Sequence, residues 1–359
     1  MKDRSISRGP PIQNSASLKS LGVMSVFAAF LIPVIAVAAL ALLIFLLSDA
    51  PLESLYFFFV GPFRNVYGFG NMVNAAVPLI LGALGITIAM KSGNLNLGGE
   101  GQIYLGAFCA AAAALAFEKY GLFSMIPAVA AGILAGAAMA AFSGFCKARW
   151  NTNELITSFL LALAVIPLVN YLVLGPFLDP ETSLISTRKI AEGARLSLIL
   201  KPSNLNSSFF IAIFLVLFVF FFLYKTKTGY EIRITGGNEL FARFGGINTK
   251  LSASLAMTIS GGFFGLAGAL AVLGTYHSVI KDFSSGMGWN GLAAALIAGF
   301  SVRAIIPAAL FLAWIEAGAR AAAQNTDITH EIALVAQAVI FFLCASQVIG
   351  NIFSRKGVK

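Results

Sequence analysis

The sequence predicts an all-α polytopic membrane protein with about ten transmembrane segments, and two observations carry that prediction. First, 58% of the 359 residues are hydrophobic and only 11% are charged, whereas soluble domains carry about 25% charged residues. Second, apolar runs recur along the chain near the length of about 20 residues that a bilayer-spanning helix needs. An ordinary soluble enzyme, a nucleic-acid-binding protein and a disordered chain are therefore excluded.

Ten apolar runs reach or approach the spanning length. They are Leu21–Leu47, Met72–Met90, Ile103–Phe117, Leu122–Phe145, Leu155–Leu174, Phe209–Tyr224, Leu251–Leu273, Trp289–Phe300, Ala304–Ala317 and Ile332–Ile349. The first run is longer than the apolar region of a signal peptide, about 7–15 residues, and no small-residue cleavage site follows it. The two runs that begin at Trp289 and Ala304 are short. They either cross the bilayer twice or form a re-entrant hairpin, and both arrangements leave the later topology unchanged.

The basic residues orient the chain, because Lys and Arg are retained on the cytoplasmic side of a membrane. With the N-terminus inside, sixteen of the 24 Lys and Arg residues fall inside and eight fall outside. We therefore expect both termini to be cytoplasmic. The net charge of +9 is then a signal of topology, and no nucleic acid partner is needed to explain it.

The segments are expected to form a single membrane domain, 21–350, between two cytoplasmic tails, 1–20 and 351–359. A long outer loop, 175–208, separates five segments from five, which favours two inverted halves. This loop contains three prolines and mixed charges, so we expect it to be ordered only locally.

The sequence contains no motif of covalent catalysis: it has no P-loop, no HExxH and no nucleophile elbow. The three cysteines lie in or beside apolar runs without metal-ligand spacing, which is typical of buried thiols. We therefore expect no catalytic residue, no metal site and no cofactor in this chain.

Polar, Gly-rich sequence interrupts the apolar runs at two places. The first, 91–102, contains Asn96, Glu100 and Gln102 directly before an apolar run. Irregular backbone at membrane depth is tolerated only where protein covers it or where it lines a wet cavity, and an acidic residue there indicates a binding site or a pathway. The alternative is a simple cytoplasmic loop in which Glu100 is solvated.

The second interruption, 283–291, also runs into an apolar segment and contains Trp289 and Asn290. Paired Gly-interrupted segments in corresponding halves of a chain are typical of inverted repeats that hold a site between them. The indole of Trp289 either stacks on a planar solute or anchors the chain at the membrane interface; the sequence leaves both interpretations open.

The inside loop 225–250 carries five basic residues, and its middle, Asn238–Phe244, has the pattern of a short amphipathic helix between glycines. Apolar residues on a cytosolic loop favour docking to another protein. The alternative is a helix on the inner leaflet that is held there by Arg233 and Arg243.

Several ordered motifs give the chain a family resemblance over residues 70–345. It resembles the membrane-spanning permeases of bacterial ABC importers, in the branch that serves simple sugars, nucleosides and branched-chain amino acids, and the nucleoside-type permeases above all. The matching motifs stand at Asn96–Gln102, Asn153–Ile156, Gly229–Arg233, Gly245–Ile247, Ser260–Gly268 and Phe283–Gly286. One departure is Asn290, where such permeases usually carry an acid, so a charge has no role at that position here.

The resemblance implies a transport subunit in the bacterial inner membrane that holds no cofactor, because a cytoplasmic ATPase partner binds ATP and Mg²⁺. It also implies a second permease protomer and an extracytoplasmic substrate-binding protein. The translocation path is expected at Asn96, Glu100, Gln102, Trp289 and Asn290. The surface coupled to the ATPase is expected at Asn153, Glu154, Arg233, Asn238, Glu239, Arg243 and Phe244.

The sequence leaves more than one candidate for the transported solute and for the energy source. A nucleoside or a related simple sugar is the expected solute, while riboflavin and branched-chain amino acids are the alternatives within the family. An ion-coupled secondary transporter with broken helices also fits the Gly-rich interruptions, although it needs embedded carboxylates and only Glu100 and Glu316 qualify. A passive channel fits less well, since the sequence has no filter motif.

Overall fold

A computed structural model describes residues 37–329 without interruption and, outside that range, residues 34, 35, 331, 335 and 338. Both tails, 1–20 and 351–359, lie outside the described residues, as do the start of the first predicted segment and most of the last. Within 37–329 the chain is helical and forms no β-strand. The helices are α1 (Val37–Leu47), α2 (Pro51–Val60), α3 (Val66–Lys91), α4 (Gly99–Ala116), α5 (Met125–Trp150), α6 (Glu154–Leu174), α7 (Ser208–Lys225), α8 (Lys227–Gly237), α9 (Glu239–Phe244), α10 (Thr249–Ala271), α11 (Met287–Ile297) and α12 (Ile305–Asn325).

The helices form a bundle with two ends, and most of them run from one end to the other. The long-loop end contains residues 175–207, and the α8–α9 end contains those two short helices. Helix α3 starts at the long-loop end, where the backbone N–H of Asn204 donates to the Asn71 side chain at 2.8 Å. It finishes at the α8–α9 end, where Gly93 lies against Gly236. The other long helices alternate in direction in the same way.

Six helical stretches between residues 37 and 329 are long and apolar enough to cross a membrane, which confirms the membrane class but not the number ten. The stretches that contain α3 and α10 are 83% buried and form the centre, whereas α6 and α7 are 22% and 28% buried and turn their side chains outward. The centre is tight because α5 and α10 meet at glycines. A Cβ atom on Gly265 would overlap the carbonyl oxygen of Gly132, and such small residues let helix backbones approach closely in membranes.

The long loop is ordered, and our expectation of only local order was wrong. Its backbone pairs with the chain that follows α10: Thr187 N donates to the carbonyl of Val279 at 3.0 Å and Leu196 N to that of Leu273 at 2.8 Å. Because buried backbone groups need partners, these hydrogen bonds fix the loop across the end of the bundle despite its prolines and charges.

Helix α11 differs from the predicted segment Trp289–Phe300. Its 11 residues measure about 16 Å, half of a 30 Å hydrocarbon core. The chain leaves α10 at the long-loop end, descends irregularly through 277–286 and continues as α11. Beyond α11, Arg303 stacks on Phe220 near the end of α7, 5.1 Å from its ring centroid. Helix α12 then returns to the long-loop end, within the one stretch of this region, Val302–Asn325, that is long and apolar enough to cross a membrane.

Candidate functional site

The two Gly-rich interruptions meet in the interior of the bundle, where α4 and α11 begin side by side and run toward opposite ends. The carboxylate of Glu100, in the first turn of α4, accepts a hydrogen bond from Gly286 N at 2.9 Å and another from Gly288 N at 2.8 Å. These amides form the N-terminus of α11 and have no partner within that helix. A negative charge there is also favoured by the helix dipole, so Glu100 caps α11.

Two glycines explain why the sequence folds this way locally. Gly286, the N-cap residue of α11, has a φ of 88°, a conformation that glycine adopts without steric cost. Gly288 packs against the backbone of Glu100, and a Cβ atom there would overlap the Glu100 amide nitrogen. The close contact between the two helix starts therefore requires a residue without a side chain.

Asn96 and Gln102 are fully buried and bonded to each other. The Asn96 amide donates to the Gln102 carbonyl oxygen at 2.8 Å, and the Gln102 amide donates back at 3.0 Å. Asn96 also donates to the hydroxyl of Ser260 on α10 at 3.1 Å. These side chains attach the extended stretch before α4 to the centre of the bundle, and Asn96 lines a small cavity of about 10 Å³ beside Glu100 and Trp289.

Trp289 and Asn290 leave the start of α11 in different directions. Trp289 is 41% exposed and its ring makes an edge contact with Phe159 of α6, with centroids 6.1 Å apart. Asn290 faces a cavity of about 470 Å³ between α3, α10, α11 and α12. The structure thus brings Glu100, Trp289 and Asn290 to the same break, with Asn96 and Gln102 directly behind it.

Apart from Asn290, the polar groups of this cavity were not expected from the sequence. They come from four asparagines, five hydroxyl residues and an ion pair on α12. They are Asn71, Asn74, Asn204, Asn290, Ser208, Thr275, Tyr276, Ser284, Ser285, Glu316 and Arg320. We name it the asparagine cavity. The sequence signal that marks it is the pair Asn71 and Asn74 at the start of an otherwise apolar helix.

Hydrogen bonds hold part of this lining in place. Asn74 donates to the hydroxyl of Thr275 at 3.0 Å and accepts from the buried amide of Asn206 at 3.1 Å. Glu316 and Arg320, one helical turn apart, form an ion pair. A second cavity, of about 400 Å³, shares Asn71 and Arg320 with the first and lies toward α2 and the start of α3.

The α8–α9 end presents an apolar surface on α9. Phe244 is 91% exposed, Leu240 67% and Phe241 62%. Asn238 caps the helix by accepting from Phe241 N at 3.0 Å, and Glu239 forms an ion pair with Arg243 at 2.6 Å. The short helix is therefore rigid at its start and exposes its aromatic side chains.

The other predicted coupling residues are engaged within the bundle. Arg233 donates to the carbonyl of Leu223 at 2.8 Å and stacks on Tyr224 at 5.0 Å, which joins α8 to the end of α7. Glu154 forms an ion pair with Lys147 at 2.9 Å.

Asn153 is exposed and caps α6, accepting from Leu155 N at 2.9 Å. The predicted coupling residues therefore lie at the same end of the bundle; Asn153, Asn238 and those of α9 are exposed, whereas Glu154 and Arg233 are half-buried.

The long-loop end holds one histidine in an unusual setting. Burial and the positive charges of Arg195 and Lys189 lower the pKa of His277 below its ordinary value of 6.5. Among the described residues, no group of three His, Cys, Asp or Glu side chains has the arrangement to hold a metal ion.

Comparisons with known proteins identify the family. The family profile described as "branched-chain amino acid transport system / permease component" matches residues 68–345. A probable riboflavin import permease protein of Treponema pallidum is 34% identical over 318 residues, covering 87% of this chain and 83% of the relative. A guanosine ABC transporter permease protein of Bacillus subtilis is 28% identical, over 88% of this chain and 93% of the relative. A glucose ABC transporter permease protein of Haloferax volcanii is 26% identical, over 93% of this chain and 90% of the relative.

No solved structure matches the chain significantly. The relatives are transport subunits, and in such importers the ATPase activity belongs to separate subunits. The motif-based resemblance is thereby confirmed, as are the membrane location and the absence of an enzymatic role for this subunit. By the family match over residues 68–345 and the 34% identity to the riboflavin permease relative, this chain belongs to the permease components of ABC importers, the membrane-spanning subunits of ATP-driven uptake systems.

Proposed function

We propose that this chain forms the translocation path of an importer for a nucleoside or a related sugar-containing solute, and that an ATPase docked on α9 drives it. The observation that carries the coupling part is the exposed apolar surface of α9. Exposed aromatic side chains of this kind mark protein interaction sites, and Phe244 is 91% exposed at the end of a capped helix. The guanosine permease relative supports the solute part.

The proposed membrane arrangement has ten segments in two inverted halves, with the α8–α9 end and both termini in the cytoplasm. The distribution of Lys and Arg supports this orientation. The opposed directions of α4 and α11, which start from one level of the bundle, support the inverted halves. A second permease protomer, identical or similar, completes the membrane part of the assembly, and an extracytoplasmic binding protein delivers the solute to the long-loop end.

The proposed path passes the break between α4 and α11. At this break Trp289 is exposed and Asn290 is half-buried, and Glu100 holds the two helix starts together. Asn96 and Gln102 contribute through the buried amide pair that fixes the chain before α4. This subunit needs no cofactor of its own, because the ATPase partner binds ATP and Mg²⁺.

Coupling follows from the connections of α9. ATP binding in the ATPase pair favours one of two arrangements of the membrane subunits, and only contacts that differ between the two states transmit this preference. Asn238 joins α9 directly to α8, and Arg233 anchors α8 to the last turn of α7. A displacement of α9 is therefore passed to the bundle through α8.

The docking proposal is tested by co-purification of the ATPase with a permease that carries Arg243→Glu and Phe244→Ala. We expect at least a tenfold loss of retained ATPase, since the exposed ring and the charge beside it are both removed. The matched control is Phe214→Ala on α7, whose ring is 64% exposed but lies on the outward face of a membrane-capable helix. Equal retention of the ATPase by both variants would disprove docking at α9.

The energy source and the solute are tested by uptake measurements. ATP depletion is expected to abolish uptake while an uncoupler leaves it intact; the opposite result identifies an ion-coupled transporter. Riboflavin is the second candidate solute because the riboflavin permease relative is 34% identical. Competition between labelled guanosine and unlabelled riboflavin or leucine separates the nucleoside, flavin and amino acid alternatives.

A further inference from the structure

The asparagine cavity is large enough to hold a solute inside a single protomer. Building on the permease role proposed above, we propose that it is a binding site for an uncharged solute that presents hydrogen-bonding groups on one edge and an apolar or planar face. The site adjoins the break, since Ser284, Ser285 and Asn290 of the interruption 283–291 line it, and it extends from there toward α3 and α12.

The dimensions of the cavity support this assignment. Its volume is about 470 Å³, within the range of about 300–1,000 Å³ that small-molecule sites occupy. The second cavity of about 400 Å³ shares Asn71 and Arg320 with it. The two cavities therefore adjoin at these side chains, with the second on the side of α2 and the first reaching Asn290 at the helix break.

The lining offers hydrogen bonds that the protein does not use. No described residue forms a hydrogen bond with the side chain of Asn290, and none in the described part of the chain accepts one from the side-chain N–H groups of Asn71. An amide side chain offers two donors and one acceptor, and a polar group removed from water without a partner costs free energy. These amides therefore favour a ligand with both donors and acceptors.

The charge of the lining selects against charged solutes. Glu316 and Arg320 are the only acidic and basic side chains among the described residues that line the cavity, and they pair with each other. The lining thus has no net charge to compensate an anion or a cation at membrane depth, where an uncompensated charge is costly. A zwitterionic amino acid would have to separate this ion pair in order to bind.

An aromatic corner provides the apolar contact. Tyr276 and Phe283 both line the cavity, with ring centroids 5.1 Å apart and planes inclined at 63°. At this inclination one ring presents its face to the cavity and the other its edge. A ring face and a ring edge both pack well against a flat heterocycle. Amides on one side and aromatic rings on the other match a nucleoside or a flavin better than an aliphatic amino acid.

The experiment uses the complete transporter, with its ATPase and binding protein, in proteoliposomes and with guanosine, riboflavin and leucine as probes. Asn290→Leu keeps the side-chain size and removes the free amide, so we expect the KM for the neutral probe to rise about tenfold or more. Asn290→Gln, which keeps the amide, is expected to restore most of the affinity. Thr87→Val is the matched control, because Thr87 is buried on α3 away from the cavity, and it is expected to leave uptake unchanged.

The outcomes separate this inference from the proposed function. If the wild-type transporter imports a neutral probe and Asn290→Leu does so with unchanged KM, the cavity is not the binding site, although the permease role stands. If leucine is imported and Glu316→Gln abolishes its uptake, the site takes zwitterions and the neutral-solute assignment is overturned. If the wild-type complex imports no probe in an ATP-dependent manner, the proposed function itself fails.

Discussion

Replacing Glu100 by Gln tests whether the capped break stabilises the fold. In the structure the carboxylate accepts two hydrogen bonds, from Gly286 N and Gly288 N. The Gln side chain has the same length but only one acceptor oxygen, and its NH₂ group would face the second backbone N–H. The variant therefore loses one hydrogen bond, leaves one donor without a partner and removes the charge that interacts with the dipole of α11.

The magnitude follows from these three losses. A hydrogen bond to a charged group contributes about 1.5–3 kcal/mol, and a charge at a helix terminus contributes about 0.3–1 kcal/mol, more when partly buried. We expect Glu100→Gln to lower the free energy of unfolding by about 2–4 kcal/mol. The matched control is Glu118→Gln, in an exposed turn after α4, for which we expect a change within about 0.5 kcal/mol.

Denaturant titration of the purified permease in mild detergent measures both variants, with helical circular dichroism and tryptophan fluorescence as independent probes. If Glu100→Gln unfolds at the same denaturant concentration as Glu118→Gln, the carboxylate does not hold the two helix starts together, and the account of the break is refuted.

Three further predictions concern close packing and titration. Gly288→Ala places a Cβ atom against the backbone amide of Glu100, whereas the Cβ atom of Gly237→Ala meets no atom within 4 Å. We therefore expect Gly288→Ala, but not Gly237→Ala, to reduce the yield of monodisperse protein in size-exclusion chromatography. The Cβ atom of Gly265→Ala would overlap the backbone of α5, whereas that of Gly262→Ala has its nearest neighbour at 3.5 Å, an ordinary contact distance. The temperature of thermal unfolding should therefore fall strongly for Gly265→Ala and little for Gly262→Ala. The pKa of His277 is lower in the folded protein than its ordinary value of 6.5, so the unfolded chain takes up a proton at this imidazole at a higher pH than the folded protein does. The free energy of unfolding should therefore decrease as the pH falls below about 6.5. Thermal unfolding of His277→Gln over a series of pH values should lack this part of the decrease.

The sequence was sufficient to predict the class and the position of the break. Low charge and apolar runs predicted membrane helices, because those properties depend on composition alone. Glycine-rich stretches around Glu100 and Asn290 predicted the interruptions, since glycine disfavours a continuous helix. The contact between the two stretches was expected only as a general property of inverted halves, and the structure adds the direct bonds from Gly286 and Gly288 to Glu100.

The rest depended on tertiary contacts that no local pattern contains. The asparagine cavity joins residues from α3 and α12 that are more than 200 positions apart, and Asn74 and Arg320 carry no signal that links them. The order of the long loop was missed because its hydrogen bonds go to the chain beyond α10 rather than to its own neighbours. Asn96 and Gln102 were recognised as polar groups within the membrane, but their mutual pairing became evident only once the fold placed both against Ser260.

The hydrogen bonds between the long loop and α3 have a consequence for how ligand binding affects the long-loop end. The amide N–H of Asn204 bonds to Asn71, and the side chain of Asn206 bonds to Asn74, so the loop and the cavity share these asparagines. The loop uses the side-chain oxygens of Asn71 and Asn74 as acceptors. A ligand in the proposed site that donates to these oxygens competes with the loop, whereas a ligand that accepts from the N–H groups of Asn71 leaves the loop attached. For a competing ligand, thermodynamic linkage requires that binding weakens the attachment of the loop by the same free energy by which the attached loop weakens binding. Under our proposal, the groups that a ligand presents therefore determine whether its binding loosens the long-loop end.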